Sequence, residues 1–487
     1  MTLLRLTGSL LLALGLASSA LAGGGGPPPP LTGALTPAPC AYPLSDTLQA
    51  RRVQCARLRV PERHARPGGR SLSLFVMIVR SDRPAPQPDP VVYLHGGPGG
   101  TIEGEARSMT RLELQGLSAD RDLVLFDQRG SGASRPALAC PHPRSEAQQV
   151  AASRARGLFA PEEAGDVLAC RDALTRQGLD LTAYTSAESA GDVDALRRAL
   201  GAARINLYGV SYGTRLAQEV LRRFPGTVRS MVLDSPVAAG RNYWAGLDAF
   251  LDRAVAARLQ ACADDPVCAA TYPDIRARYS ELLTRLDREP LAVTYLSQAS
   301  GESYEVEVRS RDVQRLLFTL MYRGGSPSWI PGLVNALWNG NTADLGTLLS
   351  REGTSASINL ASYAIGCPET RGLPGVGANS GTRAVLSLGI AEAICAAWPP
   401  AGDAALRQPV RSQTPTLILT GELDPVTPPD YAPLLSAALP RSQWVNFRWN
   451  GHGQLWQGGE CASRLLRAFW QRPGQPLDAG CAAQRAD

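Results

Sequence analysis

The stretch INLYGVSYGT (Ile205–Thr214) decides how this chain is read. Its first half, Ile205–Val210, has the apolar, β-branched character of a buried strand, and the residues from Thr214 onward place leucine, valine and arginine at helical spacing. Between the two stands Gly209-Val210-Ser211-Tyr212-Gly213. Strand, tight turn and helix in this order form the setting in which G-x-S-x-G has meaning, because glycines on both sides let the backbone turn sharply and lift the serine hydroxyl clear of the sheet. The string alone is weak evidence: with 48 glycines in 487 residues, chance supplies about a few tenths of a match. The bland alternative is a glycine-lined strand end with an inert serine.

Working outward, strand-like runs occur at Cys55–Val60, Ser71–Arg80, Pro90–Leu94, Asp122–Phe126, Ile205–Val210, Val228–Leu233, Pro415–Thr420 and Gln443–Trp449. Helical patterns lie among them at Glu162–Gln177, Ser189–Leu200, Thr214–Arg223, Pro429–Leu439 and Ser463–Gln471. Such alternation predicts an α/β fold with a mostly parallel sheet covered by helices on both faces. The rhythm breaks between Val237 and Arg411. There, helical stretches (Trp244–Asp264, Tyr279–Arg288, Asp312–Tyr322, Ile330–Trp338) surround one strand-like patch, Tyr304–Val308. The reading is a core of residues 40–236 and 412–487 with a large, mainly helical cap, 237–411, inserted after the sixth strand. No internal repeat is found.

The first 22 residues carry one early positive charge (Arg5), a leucine-rich run and the small-residue ending Ala20-Leu21-Ala22, and so predict a secretory signal peptide. The apolar part is too short for a bilayer-spanning helix. GGGGPPPPLTGALTPAP (Gly23–Pro39) predicts a tether, with the globule starting near Cys40. Formal net charge is +5, or +4 once Arg5 leaves (5 − 1 = 4), and no lysine occurs. The arginines are scattered among acids, with none of the basic blocks that nucleic-acid binding needs. Ten cysteines in an exported chain predict disulfides, formed in the periplasm or outside the cell. Sequential neighbours pair plausibly as Cys40–Cys55, Cys140–Cys170, Cys262–Cys268, Cys367–Cys395 and Cys461–Cys481. Zinc is the competing reading, disfavoured by the lack of any C-x-x-C and by only four histidines. No metal or other cofactor is implied.

A serine hydroxyl is a poor nucleophile at neutral pH and needs an imidazole held by a carboxylate. His64 and His142 lie in polar, proline-rich turns and read as surface residues. His95 opens a glycine run. His452, in Asn450-Gly451-His452-Gly453, follows the last strand, and Asp424, in LILTGELDPVTPP, stands just beyond the strand before it. Ser211, Asp424 and His452 thus follow the Ser…Asp…His chain order of α/β-hydrolases. Acyl transfer also needs two backbone N–H groups aimed at the developing oxyanion. One is Tyr212, directly after the serine. The other is expected from HGGPGG (His95–Gly100), which follows the strand PVVYL, with Gly97 first and Gly96 second; the plain alternative there is a β-turn.

HGGPGG, Asp127-Gln128-Arg129-Gly130-Ser131-Gly132, GVSYG, GELDPVTPP and GHG together resemble the proline iminopeptidase and tripeptidyl aminopeptidase branch of the α/β-hydrolases, particularly exported bacterial members. The resemblance runs through the core motifs and is not matched in the cap. It implies a serine peptidase that releases residues from peptide N termini: Ser211 attacks, His452 shuttles the proton, Asp424 orients the imidazole, and water resolves an acyl-enzyme. In such enzymes cap carboxylates bind the free α-amino group. Glu369, two residues beyond Cys367, is the candidate here, against the alternative of an ordinary exposed acid. DQRGSG is expected to shape the loop after the fourth strand, with Asp127 and Arg129 paired.

The expected partner is a peptide with a free N terminus, with neither nucleic acid nor, after signal cleavage, a membrane. Two other functions compete. A carboxylic ester hydrolase would use the same triad without an amine-binding carboxylate, and a secreted binding protein would keep the fold and have lost catalysis.

Overall fold

The computed structural model describes residues 34–118, 120–156, 163–298, 300–322, 329–352, 357–375, 393–399 and 402–484. The expected signal peptide, 1–22, lies outside the described residues. Nine strands form one sheet: β1 (Leu35–Pro37), β2 (Val53–Pro61), β3 (Ser71–Val79), β4 (Gln87–Leu94), β5 (Arg121–Phe126), β7 (Ile205–Val210), β8 (Val228–Asp234), β12 (Thr416–Gly421) and β13 (Ser442–Phe447). Four short strands lie apart from it in two pairs: β6 (Ala139–Pro141) with β11 (Ser357–Asn359), and a hairpin of β9 (Leu291–Leu296) with β10 (Ser303–Val308).

The order across the sheet is β1-β2-β3-β5-β4-β7-β8-β12-β13. From β5 to β13 all neighbours are parallel, and β1 to β3 extend the sheet antiparallel. Every strand run expected from the sequence is present. Four were missed, β1, β6, β9 and β11; in β1, Leu35, inside the stretch read as a tether, is buried and pairs opposite Leu58 of β2, so the globule begins before Cys40. The proline-rich composition hid that strand, yet Pro37 is tolerated because β1 is the edge strand, where a missing N–H costs no ladder bond.

Side chains alternate along the strands between two apolar layers. Leu74, Val76, Val92, Leu207 and Leu233 face helices Ala164–Arg176, Ser186–Ala199 and Tyr212–Arg223. Phe75, Met77, Val91, Tyr93 and Leu419 face helices Arg111–Leu117 and Gly459–Gln471. Burial on both faces is why the parallel strands read as continuous apolar runs. Between the neighbouring strands β8 and β12 the chain makes a long helical excursion. Its first part, from Leu251 to Leu349, closes around a third apolar core that includes the β9–β10 hairpin. Its later part does not join that core. Ile358, Leu360, Ile365 and Cys367 pack into the main body, where β11 pairs with β6.

All five expected cysteine pairs lie at disulfide distance, with S–S separations of 1.89–2.01 Å and no free cysteine among the described residues. Each closes a local loop of 6 to 30 residues, removing freedom from the unfolded chain. No described helix is long and apolar enough to cross a membrane.

The turn after β7 is held by backbone packing. A Cβ on Gly213 would stand 1.9 Å from the carbonyl oxygen of Leu94, at the end of β4. The helix from Tyr212 therefore comes that close to the adjacent strand only with glycine at 213. Gly213→Ala is expected to destabilise the protein by about 1–3 kcal/mol or more, read as a lowered midpoint in urea unfolding; an unchanged midpoint would contradict this packing.

Candidate active site

Ser211 stands at the sharp corner between β7 and the helix Tyr212–Arg223, with φ 56° and ψ −126°. A non-glycine residue held at positive φ costs on the order of 1–3 kcal/mol and persists only where its surroundings over-determine it. Here they do. Ser211 N–H donates to Asp234 O at 3.0 Å, and the Ser211 carbonyl accepts from both the N–H and the hydroxyl of Thr214. The serine side chain caps nothing and is nearly buried, at 7% exposure.

Asp424 and His452 are brought to the same end of the sheet by the loops after β12 and β13. Both are buried, and Asp424 Oδ2 lies 2.8 Å from His452 Nδ1. The carboxylate is fully served: Val426 and Thr427 N–H groups donate to Oδ1 at 2.8 Å, and the Thr427 hydroxyl donates to Oδ2 at 2.9 Å. Burial works against the Asp424 charge, but the facing imidazole and these donors outweigh it and hold the pKa below the ordinary carboxylate value. An ionised carboxylate can only accept, so the proton between the two residues belongs to His452 Nδ1. Nε2 is then the lone-pair nitrogen. It is buried and has no hydrogen-bond partner among the described residues.

Two residues unremarked in the sequence join the serine corner to the histidine loop. Asp234, the last residue of β8, receives Gln454 N–H and Leu455 N–H at 2.8 and 2.9 Å, together with the Tyr208 hydroxyl. Ser235 Oγ receives Gly453 N–H at 2.8 Å. Burial pushes the Asp234 pKa up despite those three donors and the nearby imidazole. The only sequence signal was a polar pair, Asp234-Ser235, closing an otherwise apolar strand.

HGGPGG occupies the adjoining loop. Gly97 has φ 118°, which strongly favours glycine, and a Cβ on Gly96 would lie 2.8 Å from that of Ser211. The DQ of DQRGSG secures this loop. Asp127 accepts from Ile102 N–H, Ala133 N–H and the Tyr42 hydroxyl at 2.6–2.9 Å, and Gln128 Nε2 donates to His95 O at 2.8 Å. The expected pairing of Asp127 with Arg129 is not formed. Arg129 is fully buried and binds Asp192 bidentately at 2.6 and 2.7 Å, an arrangement that also takes in His64.

A cavity of about 340 Å³ opens over Ser211. The core supplies Gly97, Ser211, Tyr212, Val426 and Thr427 to its wall, and the helical excursion supplies Tyr243, Trp244, Phe318 and Tyr322. Two other cavities, of about 390 and 860 Å³, lie among the excursion's helices and touch none of these core residues.

Glu369 is not brought to this cavity. It is 0% exposed on the helix Leu360–Thr370, with Oε2 2.8 Å from both Arg215 Nε and Ser186 Oγ, and Oε1 2.6 Å from Ser186 N. Both oxygens are committed inside the protein, which corrects the expectation that this carboxylate receives a substrate amine. Its neighbour Cys367 fixes the helix but could not tell which way the acid points. Among the described residues lining the cavity, none is Asp or Glu. Nor do the described residues contain a cluster of three or more His, Cys, Asp or Glu suited to a metal ion.

A family model for the alpha/beta hydrolase fold matches residues 89–267, and one described as TAP-like protein matches residues 385–481. These segments contain the serine corner and the Asp424 and His452 loops. The chain has the α/β hydrolase fold. It is 34% identical over 205 residues to a tripeptidyl aminopeptidase of Streptomyces coelicolor, covering 40% of this chain and 38% of that protein. It is 32% identical over 190 residues to serine protease Hip1 of Mycobacterium tuberculosis, covering 38% and 36%. Carboxylesterase B of the same organism is 29% identical over 246 residues, covering 47% and 45%. The matches therefore span less than half the length of these curated relatives.

Removing one partner of a buried ion pair strands the other charge. Glu369→Ala is expected to cost about 3–5 kcal/mol, measured by urea unfolding. An unchanged midpoint with a raised KM for amine-bearing substrates would return the residue to substrate binding.

Proposed function

We propose that the protein is a serine hydrolase that releases residues from the free N termini of peptides through an acyl-enzyme. The observation that carries the catalytic part is the setting of His452, whose Nδ1 is tied to Asp424 while its buried Nε2 has no partner among the described residues, in the loop joined to the Ser211 corner. In this reading His452 Nε2 takes the Ser211 proton as Oγ attacks the scissile carbonyl. Tyr212 and Gly97 N–H groups stabilise the oxyanion, each donor worth about 3–4 kcal/mol in comparable sites. The imidazolium then protonates the leaving amine, and a water activated by the same nitrogen hydrolyses the ester. Asp424, held ionised, fixes the tautomer and stabilises the imidazolium.

The peptidase part is supported by the tripeptidyl aminopeptidase and serine protease among the relatives and by the TAP-like match over the histidine-bearing segment. Five disulfides fit an exported protein, periplasmic or extracellular. A second reading, carboxylic ester hydrolysis, is favoured by one observation: the described lining of the cavity has aromatic rings and no carboxylate to receive an amine. The similarity to carboxylesterase B points the same way.

Three substrates separate the readings: an unblocked aminoacyl or tripeptidyl arylamide, its N-acetylated counterpart, and a short acyl aryl ester. A peptidase cleaves the first and loses the second by at least about tenfold, a difference of about 1.4 kcal/mol in transition-state binding. Ser211→Ala is expected to cut turnover by at least about 10⁴-fold. Ester cleavage with neither arylamide turned over would select the esterase, and full activity in Ser211→Ala would remove both readings.

A further inference from the structure

The helical excursion reaches the histidine directly. On the helix Ser310–Tyr322, the side chains of Arg315, Phe318 and Tyr322 follow one another at positions i, i+3 and i+7 and so share a face, and all three line the cavity over Ser211. They are stacked in series. The Arg315 guanidinium carbon lies 5.1 Å from the centre of the Phe318 ring, and Phe318 stacks on Tyr322 at 5.8 Å with 15° between planes. Tyr322 in turn stacks on the His452 imidazole at 4.6 Å and 15°.

The end of the same helix also grips the loop backbone. Met321 O accepts from His452 N–H at 3.3 Å, and a Cβ on Gly451 would stand 2.1 Å from that oxygen, so this approach needs glycine at 451. Nearby, Arg253 of the helix Leu247–Asp264 donates to the carbonyls of Glu422 and Asp424 at 2.9 and 3.2 Å. The core thus holds the edge of the imidazole through Asp424, while the excursion holds its face and its backbone.

We propose that Tyr322 is a positioning residue for His452, its ring fixing the imidazole plane so that Nε2 stays aimed at Ser211. The proposal rests on the reading of Ser211 as nucleophile and His452 as base. In acylation the Ser211 O–H bond breaks, its proton passes to Nε2, and Oγ bonds to the acyl carbon. The product of that transfer is an imidazolium, and an aromatic face stacked on it stabilises the cation. A face left to water would allow the ring to turn about its bonds, and misplacement by about 1 Å costs on the order of 10²-fold in rate.

The test uses the full chain carrying Tyr322→Leu, which removes the ring, and Tyr322→Phe, which keeps it. Two rates are read: formation of the Ser211 adduct with an alkyl fluorophosphonate, and kcat and KM on whichever ester or arylamide the wild type cleaves. Tyr322→Leu is expected to lower the adduct rate and kcat by about 10²-fold with little change in KM or thermal midpoint, and Tyr322→Phe to restore most of both. Should the leucine variant fail to fold, Tyr322→Met is read the same way. A folded leucine or methionine variant with wild-type kcat, a loss confined to KM, or equal impairment of the phenylalanine variant would overturn the proposal. A wild type that forms no Ser211 adduct would overturn the nucleophile assignment itself, which is a separate failure.

Discussion

The hydrogen bond between Asp424 Oδ2 and His452 Nδ1 is the interaction on which the rest of the site depends. Two buried side chains on different loops meet at 2.8 Å, and neither could be left alone in an apolar interior without a large desolvation penalty. The carboxylate is compensated by four donors, including the imidazole. The imidazole is compensated on one edge only. That asymmetry leaves Nε2 buried and without a hydrogen-bond partner among the described residues, at the end of the sheet where Ser211 is held at positive φ. Strain at the serine and an unmet acceptor at the histidine are both costs to folding, and both are placed where proton transfer would use them.

The sheet makes such precision possible because its parallel strands deliver β7, β8 and β12 side by side, with their following loops at one end. Asp234 and Ser235 then act as a joint. They receive three consecutive backbone N–H groups of the histidine loop, while the Asp234 carbonyl holds the Ser211 N–H. The helical excursion completes the arrangement from outside. It supplies most of the aromatic wall of the cavity and touches both the acid loop and the base loop. The cavity wall and the face of the His452 imidazole therefore share the helix Ser310–Tyr322.

Much of this was legible in the sequence, for a physical reason. Parallel strands buried on both faces write themselves as apolar runs, and the turn at Ser211 demands glycines at fixed offsets, so the sheet and the serine corner could be placed from residue types alone. Asp424 and His452 could be singled out because each follows such a run, and the structure brings the two into contact. What failed depended on direction. Glu369 was expected to face substrate, but residue type does not say which way a helical side chain points, and both its oxygens are taken by Arg215 and Ser186 inside the protein. Asp127 and Arg129 stand two apart in sequence yet point to different partners, Tyr42 and Asp192. Leu35 was lost in a proline-rich run. Tyr322 could not be found at all, since its meeting with His452 is made by docking of distant segments and leaves no local pattern.

A structure of the protein with a phosphonate bonded to Ser211 Oγ tests the central claim most directly. The phosphoryl oxygen is expected within about 3.2 Å of the Tyr212 and Gly97 N–H groups and His452 Nε2 at similar distance from Oγ or the leaving-group oxygen, with the Asp424 bond intact. An adduct on Ser211 with the imidazole turned away and another group in its place would contradict it.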